Sequence, residues 1–337
     1  MRGAETRGII VIGRNEGERL RRCLTAIPQG QTIIYVDSGS TDGSQSLAPS
    51  LGAILVTLDP AIGFTAARAR NAGLEELKQS GALPDYVQMI DGDCELAASW
   101  LSEAVQTMSG DPELAVVFGR TRERFPERSI YNQQCDDEWA VTPGLVDMCG
   151  GNALFRAEAL LQVNGYSDDL IAGEEPDLCL RLAQKGWKIR CIAAEMVLHD
   201  ADIRHFSQWW KRARRSGHAY AEHVARHGGH AFPSWRRQVK SIIIWGFALP
   251  TMALVSTVAG IAGNGFLALP GLLAALLYPL QWLRIGRAKS SGGQRRSIYA
   301  SLILIGKFPE FGGLLRFHLN RLVGRRSGII EHKISSH

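Results

Sequence analysis

Along the first part of the chain, short apolar runs alternate with stretches whose apolar positions recur at helical spacing. GIIVIG (8–13), TIIYVDS (32–38), AILVTL (53–58), YVQMID (86–91) and AVVFG (115–119) predict buried strands. Between them, EGERLRRCLTAI, TDGSQSLAPSL, AARARNAGLEELKQSG and SWLSEAVQTM carry helical periodicity. This alternation predicts an α/β fold with a doubly wound, mostly parallel sheet. Ligands bind such sheets beyond the carboxyl ends of the strands. Polar and acidic residues gather there: Arg14-Asn15-Glu16 after the first strand, Asp37-Ser38 at the second, Asp91-Gly92-Asp93 at the fourth. No G-x-G-x-x-G follows the first strand and no P-loop pattern occurs, which disfavours a dinucleotide dehydrogenase or a nucleoside triphosphatase.

A different pattern takes over further on. From Ser241 to Leu283 there is no charged residue, a run of 43. A crossing helix needs about 20 apolar residues, so the run predicts a transmembrane hairpin over about 241–262 and 265–283, turning at Gly263-Asn264-Gly265. Arg236, Arg237 and Lys240 precede it, and Arg284, Arg287, Lys289, Arg295 and Arg296 follow, so both flanks are expected on the cytoplasmic side of an inner (plasma) membrane. The apolar stretch 297–317 is interrupted by Lys307 and Glu310 and reads as an interfacial helix.

Charge sharpens the division. Residues 1–222 hold 31 acidic and 23 basic side chains, whereas 223–337 hold 2 and 15. The formal net charge of +5 is thus the sum of an acidic globule and a basic, apolar tail, which points to a membrane and away from nucleic acid. The expected domains are 1–225 and a membrane-associated region, 226–337. The opening MRGAETRGIIVIGRNEG reads as no signal peptide. The six cysteines show no C-x-x-C pair and no regular spacing, so they read as reduced structural thiols, and zinc is not expected.

Two aspartates spaced D-x-D are weak evidence alone, and Asp200-Ala201-Asp202 is a second copy. Context separates them: Asp91-Gly92-Asp93 ends a buried strand, and its hard oxygen ligands suit Mg²⁺ or Mn²⁺. Such a metal would neutralise a departing nucleoside diphosphate.

Taken in order, R-N-E-G (14–17), V-D-S-G-S-T-D-G-S (36–44), A-R-N-A-G (69–73), D-G-D (91–93), C-G-G-N-A-L-F-R (149–156) and G-E-E-P-D-L-C-L-R-L (173–182) resemble glycosyltransferase family 2. The resemblance covers about 1–220. It implies a GT-A fold, a nucleotide-sugar donor (a UDP-sugar ahead of a GDP-sugar), a divalent metal and inversion at the anomeric carbon. It further implies that Asn15 and Glu16 lie near the base, that Asp37 with Ser38 meets the uracil or ribose, and that Arg70 contacts the diphosphate. Asp91 would serve both donor and metal, beside Asp93. Gly150-Gly151-Asn152 would lie beneath donor and acceptor. For 38–44 and 150–152 a simple turn remains an alternative.

Inversion in one displacement needs a carboxylate to take the acceptor hydroxyl's proton. Glu174, Glu175 and Asp177 gather at the start of a helix that Pro176 opens and Gly186 ends. The family pattern there is usually Glu-Asp, and this chain has Glu174-Glu175. Glu175 is assigned as base, with Glu174 the second choice; Asp177 and Arg181 form a helix pair. His199 stays open between a third metal ligand, a diphosphate contact and a structural histidine. Q-W-W-K-R-A-R-R-S-G-H-A-Y (208–220) partly matches the Q-x-x-R-W of processive synthases, and its arginines suit phosphates or anionic headgroups equally. The expected function is transfer of one sugar to a lipid-linked or growing glycan acceptor in envelope or exopolysaccharide assembly. A polyprenyl-phosphate glycosyltransferase, a processive synthase and a non-catalytic nucleotide-binding scaffold are the alternatives.

Overall fold

The computed structural model describes residues 7–81, 83–288, 293–325 and 328. Residues 1–6 of the opening segment, Lys289 of the basic flank and the end of the 226–337 region lie outside the described residues. The chain forms two compact units that divide between Arg204 and His205.

In the first unit, the apolar runs become β1 (Arg7–Gly13), β2 (Thr32–Asp37), β3 (Ile54–Thr57) and β4 (Tyr86–Asp91). They pair in parallel in the order β3-β2-β1-β4. Ile9, Ile10, Val11, Ile34 and Val36 are fully buried, as residues of a sheet covered on both faces must be. Amphipathic helices α1 (Glu18–Thr25), α2 (Ser44–Ser50) and α3 (Ala66–Gln79) connect these strands. Register then levels the functional ends: Gly13 pairs with Asp37, and Ile12 with Asp91.

Beyond β4 come β5 (Cys94–Leu96), α4 (Trp100–Gly110), β6 (Leu114–Glu123), α5 (Ile130–Glu138), β7 (Gly144–Val146), β8 (Ala153–Arg156), α6 (Ala157–Gln162), α7 (Glu174–Gln184) and β9 (Lys188–His199). The sheet continues β4-β8-β6-β9-β5, with β7 on β9. The sheet is parallel over β3-β2-β1-β4 and again between β6 and β9, and mixed elsewhere: β8 runs antiparallel to β4 and β6, and β5 and β7 run antiparallel to β9. The reversal has a structural consequence. Because Met89 pairs with Ala153 antiparallel, the segment just before β8, residues 149–152, arrives at the carboxyl end of β4.

The second unit is helical: α8 (Phe206–His227), α9 (Pro233–Ile243), α10 (Leu249–Ala262), α11 (Leu269–Ala288) and α12 (Gly293–Leu322). A π-turn at Ile244–Ala248 joins α9 to α10 without a break. Among the described residues, three helices, not the two of the expected hairpin, are long and apolar enough to cross a membrane: Pro233–Ala262, Gly265–Arg287 and Arg295–Leu322. The third keeps its apolar character because its charges are matched internally. Lys307 Nζ donates to Glu310 (2.7 Å) and to Gln238 of α9 (3.1 Å) and is buried. By contrast, α10 and α11 turn Leu254, Ile261, Leu273 and Leu280 outward, the surface a lipid phase would cover. The carboxyl half of α12 packs on α8 through glycines. A Cβ on Gly217 would fall 1.9 Å from the Glu310 carbonyl oxygen, and one on Gly313 1.9 Å from that of Arg214. Only glycine lets the two backbones approach so closely.

Candidate active site

The carboxyl edge of β1 and β2 is organised by residues that bind their own loops. Asp37 is fully buried, and its carboxylate accepts from the Gly39 and Ser40 amides (2.9 and 2.8 Å), Gln45 Nε2 (2.8 Å) and the Tyr35 hydroxyl (3.2 Å). It builds the 38–44 turn from beneath. Ser38 donates its amide to the Gly13 carbonyl at 3.0 Å. Asn15 adopts φ of 55°, donates its amide to Ser40 Oγ (2.8 Å) and accepts from the Thr41 amide (2.7 Å), so it ties the β1 loop to the β2 loop. Positive φ is a conformation asparagine tolerates better than most residues. Glu16 is buried, 2.9 Å from Arg19.

A second group converges from β4, α3, α7 and the 149–152 loop. Arg70 is 3% exposed and holds three carboxylates: Asp91 at 3.0 Å, Glu174 at 3.1 Å and Glu175 at 2.7 Å. Its guanidinium also lies 5.4 Å from the centre of the Tyr166 ring. The next residue, Asn71, donates to the Tyr166 carbonyl (2.8 Å) and accepts from its amide (2.9 Å), which fixes the segment leading to α7. The A-R-N-A-G motif therefore places a cation among carboxylates and anchors the chain that presents two of them. α7 starts at Glu174, so Pro176 lies within the first turn rather than at its first position; an amide there would have no helical partner anyway. Asp177 pairs with Arg181 at 2.9 Å as expected.

Gly151 stands at the centre of this group. A Cβ added there would lie 2.6 Å from Arg70 Nη2, 3.0 Å from Asp91 Oδ2 and 3.4 Å from Glu175 Oε1. Gly150 is exposed beside it, whereas Asn152 is buried and accepts from the Asp91 amide at 2.9 Å. Beneath the loop, the sulfurs of Cys149 and Cys179 touch at 3.6 Å. Burial first, then the neighbouring charge of Glu174, pushes the Glu175 carboxyl up to about 7 against the opposing pull of Arg70. The Arg70 guanidinium is itself held firmly protonated by Glu175 and Asp91 despite its burial.

The two aspartates of the D-G-D triplet part company. Asp91 is 30% exposed and faces Arg70, whereas the Asp93 side chain is 1% exposed and lies 3.1 Å from His199 Nε2. His199 comes from the end of β9, brought across by the pairing of Cys94 with His199, and its ring stacks on Trp139 at 4.5 Å. Asp93, Cys94 and His199 each present a ligand atom, all within 4.8 Å of one another. A carboxylate and an imidazole side by side, with a second carboxylate at the crevice, suit a divalent cation. The other D-x-D copy is committed elsewhere: Asp200 binds Arg22 at 3.2 Å and Asp202 binds Arg204 at 2.5 Å.

Asp91, Arg70, Glu174, Glu175 and Gly151 thus meet at one point, and Asp93 and His199 meet at a second. Asn15, Asp37 and Ser38 shape the β1–β2 edge. Tyr166, Asn71, Cys94 and Trp139 had not been singled out from sequence. For Asn71 the signal was its place in A-R-N-A-G; for Trp139 there was none, because its contact with His199 crosses 60 residues of chain.

Known proteins resemble the chain in sequence and in fold. The model for glycosyl transferase family 2 matches residues 8–163, and that for glycosyl transferase family group 2 matches 86–285. The pre-mycofactocin glycosyltransferase of Mycobacterium tuberculosis (strain CDC 1551 / Oshkosh) is 28% identical over 283 residues, covering 80% of this chain and 55% of that protein. Succinoglycan biosynthesis protein ExoA of Rhizobium meliloti (strain 1021) is 27% identical over 191 residues, 51% of this chain and 54% of that one. The chain thus spans about half the length of the curated relatives it matches. Among solved structures, the mannosyltransferase PcManGT from Pyrobaculum calidifontis, in complex with GDP-Man and Mn²⁺, superposes with a TM-score of 0.58 at 23% identity, covering 92% of this chain and 87% of that one. That likeness identifies the sheet as a GT-A fold. With one model covering the first strands and a second covering more than half of the sequence, the chain belongs to glycosyltransferase family 2.

Proposed function

We propose that this protein transfers one sugar from a nucleoside-diphosphate donor to a lipid-linked or glycan acceptor, with inversion and with a divalent metal. The observation that carries the reading is the buried Arg70 joined to Asp91, Glu174 and Glu175 around Gly151. Three carboxylates share one guanidinium, so an arriving diphosphate can take over Arg70 while the carboxylates turn to other partners. Asp93, His199 and Asp91 would hold Mn²⁺ or Mg²⁺, which when bound supplies charge neutralisation for the departing diphosphate. Glu175 is the base: it is the more open member of its pair, 13% exposed against 5% for Glu174, and its carboxyl is raised to about 7. A base poised near neutrality takes the acceptor hydroxyl's proton most effectively. Glu174 positions Arg70. Gly150 leaves open space on the acceptor side, Gly151 lets the loop close on Arg70 and Asp91, and Asn152 holds the backbone of Asp91. Asn15 and Asp37 keep the nucleotide-side loops in shape.

A UDP-sugar is the first donor to test. GDP-mannose, the donor bound by the Pyrobaculum mannosyltransferase, is the second. The relatives named for mycofactocin and succinoglycan support a glycan-building role.

The catalytic side faces the cytosol of the plasma membrane, supported by the basic flanks Arg236, Arg237, Lys240, Arg284 and Arg287. α12 stays at the interface, because its carboxyl half packs on α8, which bears Lys211, Arg212, Arg214 and Arg215. A turnover screen of nucleotide sugars with Mn²⁺ and Mg²⁺ in detergent tests the reading; no turnover with any donor would sink it.

A further inference from the structure

In the helical unit, two apolar helices end in cations at one level. α10 and α11 return antiparallel at close approach: a Cβ on Gly260 would meet Ala268, and one on Gly271 would meet Ala253 and Ser256. Nearer the ends, the rings of Trp245, in the turn joining α9 to α10, and Tyr278 meet edge-on at 5.3 Å. Lys240 precedes Trp245 by five residues and Arg284 follows Tyr278 by six, so at about 1.5 Å per residue both lie on the order of 8 Å beyond that contact, in the same direction. We propose that Arg236, Arg237, Lys240, Arg284 and Arg287 form a site for the phosphate groups of anionic phospholipids of the phosphatidylglycerol class. The proposal requires these helices to sit in a bilayer and is independent of the sugar-transfer reading.

Helix length sets the depth of the cations. Pro233–Ala262 has 30 residues, which at about 1.5 Å each span roughly 45 Å, whereas the hydrocarbon core of a bilayer is about 30 Å thick. Its distal part turns Leu254, Val255 and Ile261 outward. Between that apolar surface and the cations stand the half-buried rings of Trp245, Tyr278 and Trp282, and tryptophan and tyrosine mark the interface level of a membrane. The excess length therefore falls at the Pro233 end, in the headgroup layer. There Arg236, Arg237 and Lys240 are all exposed and share one face of α9, within about 100° of the helix circumference.

The unit supplies no counter-charge. Arg284 and Arg287 are exposed like the α9 cations, and among the described residues none of the five has an ion-pair partner. After residue 222 the chain carries two carboxylates: Glu310 is held by Lys307 at 2.7 Å, and Glu331 lies outside the described residues. Five unneutralised cations at headgroup depth attract anionic lipid, and each Lys or Arg near such a surface is worth roughly fivefold in affinity. Arginine adds a planar fork that meets a phosphate through two hydrogen bonds.

Full-length protein is reconstituted in phosphatidylcholine vesicles holding a trace of spin-labelled phosphatidylglycerol or spin-labelled phosphatidylcholine, and electron paramagnetic resonance reads the motionally restricted fraction of each label. The expected result is several-fold more restricted phosphatidylglycerol than phosphatidylcholine. The triple variant Arg236→Gln, Arg237→Gln, Lys240→Gln should bring that ratio down toward one, whereas Arg236→Lys with Arg237→Lys should keep the preference. A ratio of one in the wild type overturns the proposal, and so does a wild-type ratio in the glutamine variant. Should that variant fail to reconstitute, the wild type decides: in about 1 M salt, where the Debye length falls to about 3 Å, the ratio must drop toward one. A ratio indifferent to salt overturns the proposal. Nucleotide-sugar turnover on the same vesicles reports the sugar-transfer reading separately, since its absence leaves the lipid ratio as it is.

Discussion

Arg70 Nη1 lies 2.7 Å from the Glu175 carboxylate while the same guanidinium nitrogen lies 3.1 Å from Glu174. One cation therefore restrains both candidates for the base. They differ in exposure, 5% for Glu174 against 13% for Glu175, and burial raises the Glu175 carboxyl to about 7.

Replacing Glu175 with Gln should lower kcat by about 10²–10⁴-fold, the usual worth of a general base, while donor affinity changes little. Isothermal titration with the nucleotide sugar beside a turnover assay separates the two effects. An active Glu175→Gln together with an inactive Glu174→Gln would move the base by one residue.

Glu175 also predicts a pH profile. Its carboxyl, raised to about 7 by burial and by Glu174, must be ionised to accept a proton. As pH falls through about 7 it becomes protonated and kcat/KM falls; above that value kcat/KM is level. The profile of kcat/KM reports the free enzyme, so this limb should disappear from the residual activity of Glu175→Gln.

Removing the cation should cost more than activity. Arg70→Met leaves Asp91, Glu174 and Glu175 gathered without their shared partner, and breaking a buried ion pair typically destabilises by about 3–5 kcal/mol. Thermal denaturation should show a clear fall in Tm, larger than that of Arg70→Lys, which keeps a charge without the fork.

Gly151→Ala tests the close approach. The added methyl lies 2.6 Å from Arg70 Nη2, an atom pinned by carboxylates, so it must displace the guanidinium or the loop. Misplacement of about 1 Å can cost roughly 10²-fold in rate, whereas the folded state should survive. Turnover and circular dichroism on one preparation check both parts.

The proposed cytosolic orientation of the basic flanks is open to cysteine labelling. Cysteine introduced at Asn264, between α10 and α11, should be labelled by an impermeant maleimide from outside intact cells, and at Asn320 only after permeabilisation. The six native cysteines are all buried, so the background is low.

The parallel half of the sheet was legible because β1, β2 and β4 are continuous apolar runs ended by polar residues. What escaped was non-local. β8 is only four residues long, and its antiparallel return cannot be read from periodicity. Cys94 and His199 become neighbours only through the pairing of β5 with β9, which cysteine spacing could not reveal. The stretch around Lys307 was broken on paper by two charges that the fold pairs with each other. Asp37 was conspicuous for its position, but that its carboxylate accepts from the amides of its own turn was not legible. Residue identity pointed to the right elements; the partners of each side chain needed coordinates.

The central claim is that the Arg70–Glu175 centre catalyses sugar transfer from a nucleotide donor. The most direct measurement is release of nucleoside diphosphate from a panel of UDP- and GDP-sugars by the full-length protein in detergent with Mn²⁺ and a lipid-linked acceptor extract, run beside Glu175→Gln. The account predicts acceptor-dependent release with one donor, lost in the variant. Release that is equal in wild type and variant, or absent with every donor, would contradict it.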